Sequence, residues 1–572
     1  MRLRHFQRLC RLVLVLLLLA GCRTSPQYPS GAERRLNAPD PPSGPQQLTV
    51  DGQALLHSFL DSGELPDLRR PGFSDYQIEV KEFYQSFGSS LPWIRQGKPT
   101  TQARVLIRAL QNAEYKGLNP EDYDGSRWDA RLVRIQQPPA ALETDLVSFD
   151  VAVTVCAMRY ISDLHVGRVN PRLFHFDLDI GHTSFDLSEF LRQELVSSQD
   201  VDAALARVEP PFPVYRRTEA ALKTYLDLAN RDDGEPLPIP SRTVRPGNSY
   251  AGIPRLARLL TVLGDLPEWN GTAGELYQGN LVDGVKRFQQ RHGLEPNGLI
   301  DTATITELNV PLSQRVIQLQ LTMERIRWLP HEFNRPPIVV NIPEFRLHAD
   351  NEEYQWVLSM KVVVGKAYGH QTPVFASQIK SVIFRPYWDV PSSILRAELI
   401  PHLEKDPLYF RENSYEIVDK QGAIVSEGDV NESIKQQLQL GDLRVRQKPG
   451  PHNALGLVKF DIPSSYDVYM HGTPATELFA RSRRDFSHGC IRVEDPVALA
   501  KWVLREEPGW DEEKIRSAMN GDKTVQVRLE RPIPVLILYS TAVVMEDGEP
   551  HFFDDIYGQD AALERGLSQL PR

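Results

Sequence analysis

Cysteine is almost missing from this chain: four residues in 572, at positions 10, 22, 156 and 490. So few cysteines exclude a fold stapled by a disulfide framework. No CxxC or HxxxH spacing occurs either, which removes the usual ligand sets for structural or catalytic zinc. Long apolar runs are scarce. The unbroken stretch Leu12 to Ala20 would, as a helix, cover far less than the ~30 Å hydrocarbon core of a bilayer, so it is not a spanning anchor. Basic charge is in deficit, with a formal net charge of −10. An acidic protein is a poor ligand for nucleic acid or for an anionic membrane surface, and neither partner is expected.

What is present fits an ordinary globular composition, 41% hydrophobic and 24% charged. The length exceeds what one core serves, so two to four domains are expected. At the N-terminus, Arg2, Arg4, Arg8 and Arg11 precede Leu12–Ala20, the charged-then-apolar layout of an export signal. The run closes with Leu19-Ala20-Gly21-Cys22, which resembles the lipobox of bacterial lipoproteins. That resemblance implies cleavage of residues 1–21, lipid on Cys22 and a membrane partner through that anchor; a plain secretory signal is the alternative. A polar, Pro-rich tether occupies residues 22–50, and Arg23 in place of Asp favours sorting to an outer membrane from the periplasm. Losing four arginines with the signal makes the mature chain more acidic still, near −14. Cys156, inside the helical run Asp150–Leu164, reads as core. Cys490 would then be a free thiol in an oxidising compartment, a liability that a catalytic role explains.

The fold class expected is multidomain α+β. Residues 51–245 read as a helical scaffold, with helices at Gln102–Tyr115, Val147–Leu164 and Ala220–Asn230, ended by the punctuated linker Gly234–Pro240. Residues 246–312 form a small unit of three helices, Ile253–Leu263, Leu281–His292 and Thr302–Leu308, with Asn297-Gly298 as a turn and Asp301 as a cap. A helical connector covers 313–336. Strand signals dominate 337–529, at Ile338–Ile342, Phe345–His348, Tyr354–Val364, Ile379–Phe384, Leu455–Phe460 and Ser465–Met470. Residues 392–450 interrupt them with a Pro-flanked helical stretch, a charged segment and a Gln-rich helix, as an inserted cap would. Residues 530–572 are expected to add a strand pair and a helix as a C-terminal extension.

Chemistry concentrates where His471 is followed by Ser487-His488-Gly489-Cys490-Ile491-Arg492. A thiol with an ordinary pKa of about 8.5 is mostly protonated at neutral pH and needs a base to attack a carbonyl. Histidine suits that task because its own pKa lies near working pH. His471 ends a predicted strand and can reach a cysteine on a neighbouring one; His488 is closer in sequence and is assigned a structural or substrate-side role. Gly472 keeps the main chain near His471, so its carbonyl can orient the imidazole. Gly489 permits a tight turn, and the Gly489 and Cys490 amides could face an oxyanion. Arg492 could bind a substrate carboxylate or favour the thiolate.

His471-Gly472-Thr473 with Ser487-His488-Gly489-Cys490 resembles the signature of the L,D-transpeptidases, the YkuD-type catalytic domain. The resemblance implies Cys490 as nucleophile, His471 as proton acceptor and donor, Gly472 as the orienting carbonyl, and Ser487, His488 and Gly489 as builders of the site. Arg492 stands where many members have Asn, a departure found in the large multidomain, YcbB-like branch. Asp283–Leu294 with Gly298–Asp301 resembles a peptidoglycan-binding domain, and the 392–450 segment resembles that branch's capping subdomain. Leu164–Val169 and Tyr115–Leu118 resemble its scaffold. The same resemblance implies 3→3 crosslinking between donor and acceptor tetrapeptide stems of peptidoglycan and acylation by carbapenems. It implies no metal and no organic cofactor, with wall-synthesis proteins as further partners. Hydrolysis of the same acyl-enzyme and non-catalytic wall tethering are the alternatives.

Overall fold

The computed structural model describes residues 44–136, 141–178, 185–232, 234–267 and 276–569. The export signal, Cys22 and nearly all of the tether lie outside the described residues. Four apolar cores organise the rest: three lie within the scaffold, the three-helix unit and the cap, while the largest joins residues from Phe176 to Tyr225 with the helix from Leu312, the strand-rich domain and the C-terminal segment.

The first core belongs to the scaffold and is threaded by α1 (Glu143–Val166), whose residues 149–161 are all buried. A helix hydrophobic all round must be packed on all sides, so Cys156 is a core thiol, with burial pushing it up to about 12. The three-helix unit forms its own core from Ile253–Val262, Asn280–Arg291 and Thr302–Leu308, and Asp301 caps the third helix by accepting from the Thr304 amide.

Helix α2 (Pro213–Arg231) ends the scaffold and packs on α3 (Leu312–Arg327), which is more than a connector. Arg315, Arg325 and Arg327 on α3 are buried, and each is compensated: Arg315 by Glu307, Arg325 by Asp560, and Arg327 by the Tyr215 hydroxyl and the Lys116 carbonyl. The scaffold motifs singled out in the sequence meet this helix. Gly167, at φ 82°, lies where a Cβ would come within 2.8 Å of Glu324, and the Arg168 amide donates to Glu324 at 2.6 Å. Gly117, at φ 70°, approaches the Gln320 backbone.

The catalytic-type domain is built, among the described residues, on a nine-stranded sheet. Its strands are β1 (Ile338–Asn341), β2 (Arg346–Asp350), β3 (Trp356–Gly365), β4 (Phe375–Phe384), β5 (Val458–Asp461), β6 (Met470–His471), β7 (Asp485–Ser487), β8 (Ile491–Val493) and β9 (Val525–Leu538). The spatial order is β7-β3-β8-β6-β5-β4-β9-β1-β2, and β2 pairs back onto the first half of β3, closing the sheet on itself. Helix α4 (Pro496–Val503), capped by Asp495, packs on it.

Three expectations need correction. The boundary between 529 and 530 falls inside β9, a central strand paired with β4 and β1 rather than an extension. Pro532 and Pro534 mimic a break, but Pro532 falls within a register shift of the β9–β4 ladder, where proline is tolerated, and Pro534 stands just past it, opposite Gln378. The strand expected over Ser465–Met470 shrinks to Met470–His471, because Ser464–Asp467 turn and Asp467 adopts φ 53°. The cap contains a four-stranded sheet of Trp388–Asp389, Tyr415–Val418, Ile424–Ser426 and Arg444–Gln447 that its charged sequence concealed. Asn453, 1% exposed, ties the neck of the cap through the Pro386, Gln447 and Lys448 carbonyls.

Candidate active site

Strand β6 pairs in parallel with β8, aligning Met470 with Ile491 and His471 with Arg492. Extending that register back by one residue puts Tyr469 level with Cys490. Tyr469, His471, Cys490 and Arg492 therefore share one face of the sheet. His471 is two places along from the thiol rather than opposite it.

The turn before Cys490 is fixed by a short relay. Ser487 Oγ donates to the Cys490 carbonyl at 2.6 Å and accepts from the Gly489 amide at 3.1 Å. Thr372 Oγ1 donates to the Gly489 carbonyl at 2.8 Å and accepts from the Gly365 amide at 2.9 Å. Gly489 takes φ 117°, a conformation that strains any residue with a Cβ. One expectation fails here: the Gly489 amide is spent on Ser487 and cannot serve an oxyanion. The Cys490 amide is the donor of this turn left for that purpose.

His471 Nδ1 lies 2.5 Å from the Gly472 carbonyl, which can only accept, so Nδ1 carries the proton and Nε2 keeps its lone pair. Burial pushes the His471 pKa down to about 3, and the Arg492 charge adds to that; the Gly472 and Leu455 carbonyls pull the other way and lose. Burial also raises the Cys490 thiol, against the lowering effect of Tyr469, Lys459 and Arg492. The resting pair is therefore neutral thiol and neutral imidazole, not thiolate and imidazolium.

Two residues that sequence reasoning missed complete the arrangement. The Tyr469 amide and hydroxyl act on the Cys490 thiol, pulling its pKa down against the larger effect of burial, and Trp388 of the cap acts on the Tyr469 hydroxyl in turn. Lys459 Nζ sits 4.1 Å from the Tyr469 ring centroid. The signal for Tyr469 was available, since a residue two before His471 on a strand shares its face. Trp388 carried no signal, because only the cap's fold brings it over. His488 Nε2 meets Glu398 of the cap at 2.6 Å and its ring packs on His370, so it links the nucleophile turn to the cap. Arg492 is half-buried with no hydrogen-bond or ion-pair partner among the described residues, which leaves its guanidinium available to an anion.

The L,D-transpeptidase catalytic domain model matches residues 335–527, which hold every one of these groups. Residues 335–527 are an L,D-transpeptidase catalytic domain. A scaffold domain model matches residues 78–222, and a "Putative peptidoglycan binding domain" matches 250–308. A "Putative L,D-transpeptidase" of Haemophilus influenzae is 35% identical over 247 residues, 43% of this chain and 48% of that relative. The chain thus spans about half the length of the curated relative it matches. In the transpeptidase domain, the Cys–His pair, the orienting Gly472 and the unpaired Arg492 lie together, while Gly489 acts through its backbone alone.

Proposed function

We propose that this protein is an envelope enzyme that joins peptidoglycan stems by 3→3 diaminopimelate crosslinks through a thioester on Cys490. The observation that carries the proposal is the Cys490 thiol on one sheet face with a tautomer-fixed His471 and an Arg492 that has no hydrogen-bond or ion-pair partner among the described residues. Because both partners rest neutral, attack and proton transfer go together: Cys490 adds to the diaminopimelate carbonyl of a donor tetrapeptide as His471 Nε2 takes the thiol proton. The Cys490 amide faces the oxyanion. His471 returns the proton to the departing D-Ala amine, and Arg492 holds a stem carboxylate. The incoming side-chain amine of an acceptor stem then displaces the thiol, with His471 again as base. Ser487, His488 and Gly489 shape the turn rather than react.

Peptidoglycan-acting domains suit a periplasmic address, and no helix among the described residues is long and apolar enough to cross a membrane. Lipid on Cys22, anchoring the tether to the outer membrane, completes the proposal. Intact-mass measurement with a carbapenem tests the nucleophile. One covalent adduct is expected, absent in Cys490→Ala, which should keep the fold but give no 3→3 dimers from tetrapeptide muropeptides. Dimers from the alanine variant would sink the proposal; shortened monomers without dimers from the parent would mean that water, not an amine, is the acceptor.

A further inference from the structure

A transferase needs two substrate approaches, one for the donor held as a thioester and one for the acceptor. The cap touches the site through Trp388 and Glu398, at Tyr469 and His488. A second opening lies elsewhere. A groove of about 650 Å³ runs between the scaffold and the transpeptidase domain, lined by Arg172, His175 and Asp177 from the first and by Gln371, Tyr466 and Tyr557 from the second. No cap residue lines it among the described residues.

The groove is a built feature. Asp177 joins the end of the transpeptidase sheet as a parallel bridge to Phe375: its amide donates to the Val374 carbonyl at 2.9 Å, and its carbonyl accepts from the Ala376 amide at 3.2 Å. The Asp177 carboxylate lies near the Tyr466 hydroxyl and, after burial, raises its pKa. His175 is held at φ 60° after the short helix Pro171–Phe174, an uncommon conformation for a residue with a Cβ. Clefts between domains are preferred places for ligands.

Thr372 and Gln371 of the groove, and Asp467 beside its Tyr466, contact the Cys490 turn. Thr372, next to Gln371, holds the Gly489 carbonyl, and the Gln371 carbonyl lies 3.8 Å from where a Gly489 Cβ would stand. Tyr466 precedes Asp467, whose carbonyl faces the Cys490 sulfur at 3.9 Å. Polar chemistry of both signs on the scaffold wall matches a stem peptide, which carries free carboxylates, amides and the diaminopimelate ammonium.

We infer that this groove admits the acceptor stem, so that the scaffold domain supplies acceptor recognition while the cap holds the donor; this rests on the transpeptidase function proposed for Cys490. Arg172 and His175 take carboxylates of the acceptor, and Asp177 takes an N–H donor of its peptide. The acceptor amine attacks the thioester carbonyl, the C–S bond breaks as the amide forms, and the amine proton passes to His471 and then to the Cys490 sulfur.

The test uses the mature full-length chain with a disaccharide-tetrapeptide muropeptide containing diaminopimelate as both donor and acceptor. Dimers and tripeptide monomers are counted by mass spectrometry, and the carbapenem adduct is timed in parallel. Arg172→Glu and Asp177→Asn should each lower the dimer-to-tripeptide ratio at least about tenfold while adduct formation stays within about twofold and the melting temperature is kept. Asp177→Asn preserves the backbone bridge to Phe375, so it isolates the carboxylate. An unchanged ratio in both variants overturns the inference and leaves the transpeptidase function standing. No adduct with the parent chain overturns both. An adduct and tripeptide without dimers from the parent removes the acceptor and the inference with it.

Discussion

Thr372→Val separates the relay behind the nucleophile from mere packing. The side chain is 2% exposed, and valine fills nearly the same volume, so the change deletes a hydroxyl with little cavity. Two buried backbone groups lose their partner together: the Gly365 amide, 2.9 Å from Thr372 Oγ1, and the Gly489 carbonyl, 2.8 Å away. Each orphaned group costs about 1–3 kcal/mol, so the pair costs about 2–6 kcal/mol locally. Relief by movement is blocked on one side, since the His370 carbonyl lies 1.9 Å from where a Gly365 Cβ would stand, and Tyr557 holds the Gly365 carbonyl at 2.6 Å. The Gly489 turn is the softer partner and should give way. Hydrogen exchange at the Gly365 amide should quicken about 5- to 150-fold, matching about 1–3 kcal/mol for that bond. Carbapenem acylation of Cys490 should slow about 10- to 100-fold, because a nucleophile displaced by under about an ångström loses alignment. Thr372→Ser keeps the hydroxyl and should stay near the parent on both measures. Parent-like exchange and acylation in the valine variant, or equal losses in the serine and valine variants, would refute the relay.

The neutral Cys490–His471 pair predicts an acylation rate that is level from about pH 5 to about pH 8. His471, lowered to about 3, is already unprotonated across that window, and the thiol, raised by burial, has not begun to ionise. An acid limb near about pH 6.5 would instead mean that a protonated imidazole partner must be titrated, contradicting the site's electrostatics. On stability the sign is equally defined: the native state holds His471 unprotonated where the unfolded chain protonates it, so its contribution is full above about pH 6.5 and lost as pH falls toward about 3. In the small helical domain, Asp265→Ala should cost about 3 kcal/mol, because it leaves Arg291, whose side chain is 3% exposed, with only Glu549 at 3.4 Å and the Pro550 carbonyl at 2.9 Å. Calorimetry should resolve an early transition for residues 250–308; an unchanged profile would show that the pair does not dock that domain.

The scaffold and the three-helix unit were legible because each buries its own apolar periodicity. The all-round hydrophobic α1, the three short helices with Asp301 as cap, and the alternating strands around Ile338–Phe384 are local patterns that packing obeyed. The meeting of Cys490 and His471 on one sheet face was legible for a similar reason, since Gly489, at φ 117°, marks where the backbone must turn. Sequence alone therefore determined the order of domains and singled out Cys490, His471 and Gly472 as the residues on which the proposed chemistry rests. Tertiary structure decided what depends on contacts across long separations. It made β9 a central strand despite Pro532 and Pro534, because a register shift absorbs Pro532 and the ladder resumes at Ile533. It spent the Gly489 amide on Ser487, brought Trp388 and Glu398 of the cap onto the site, and kept both reacting groups neutral by burial. A residue's type fixes what it can donate or accept, but its protonation and partners depend on the dielectric and neighbours that only folding supplies.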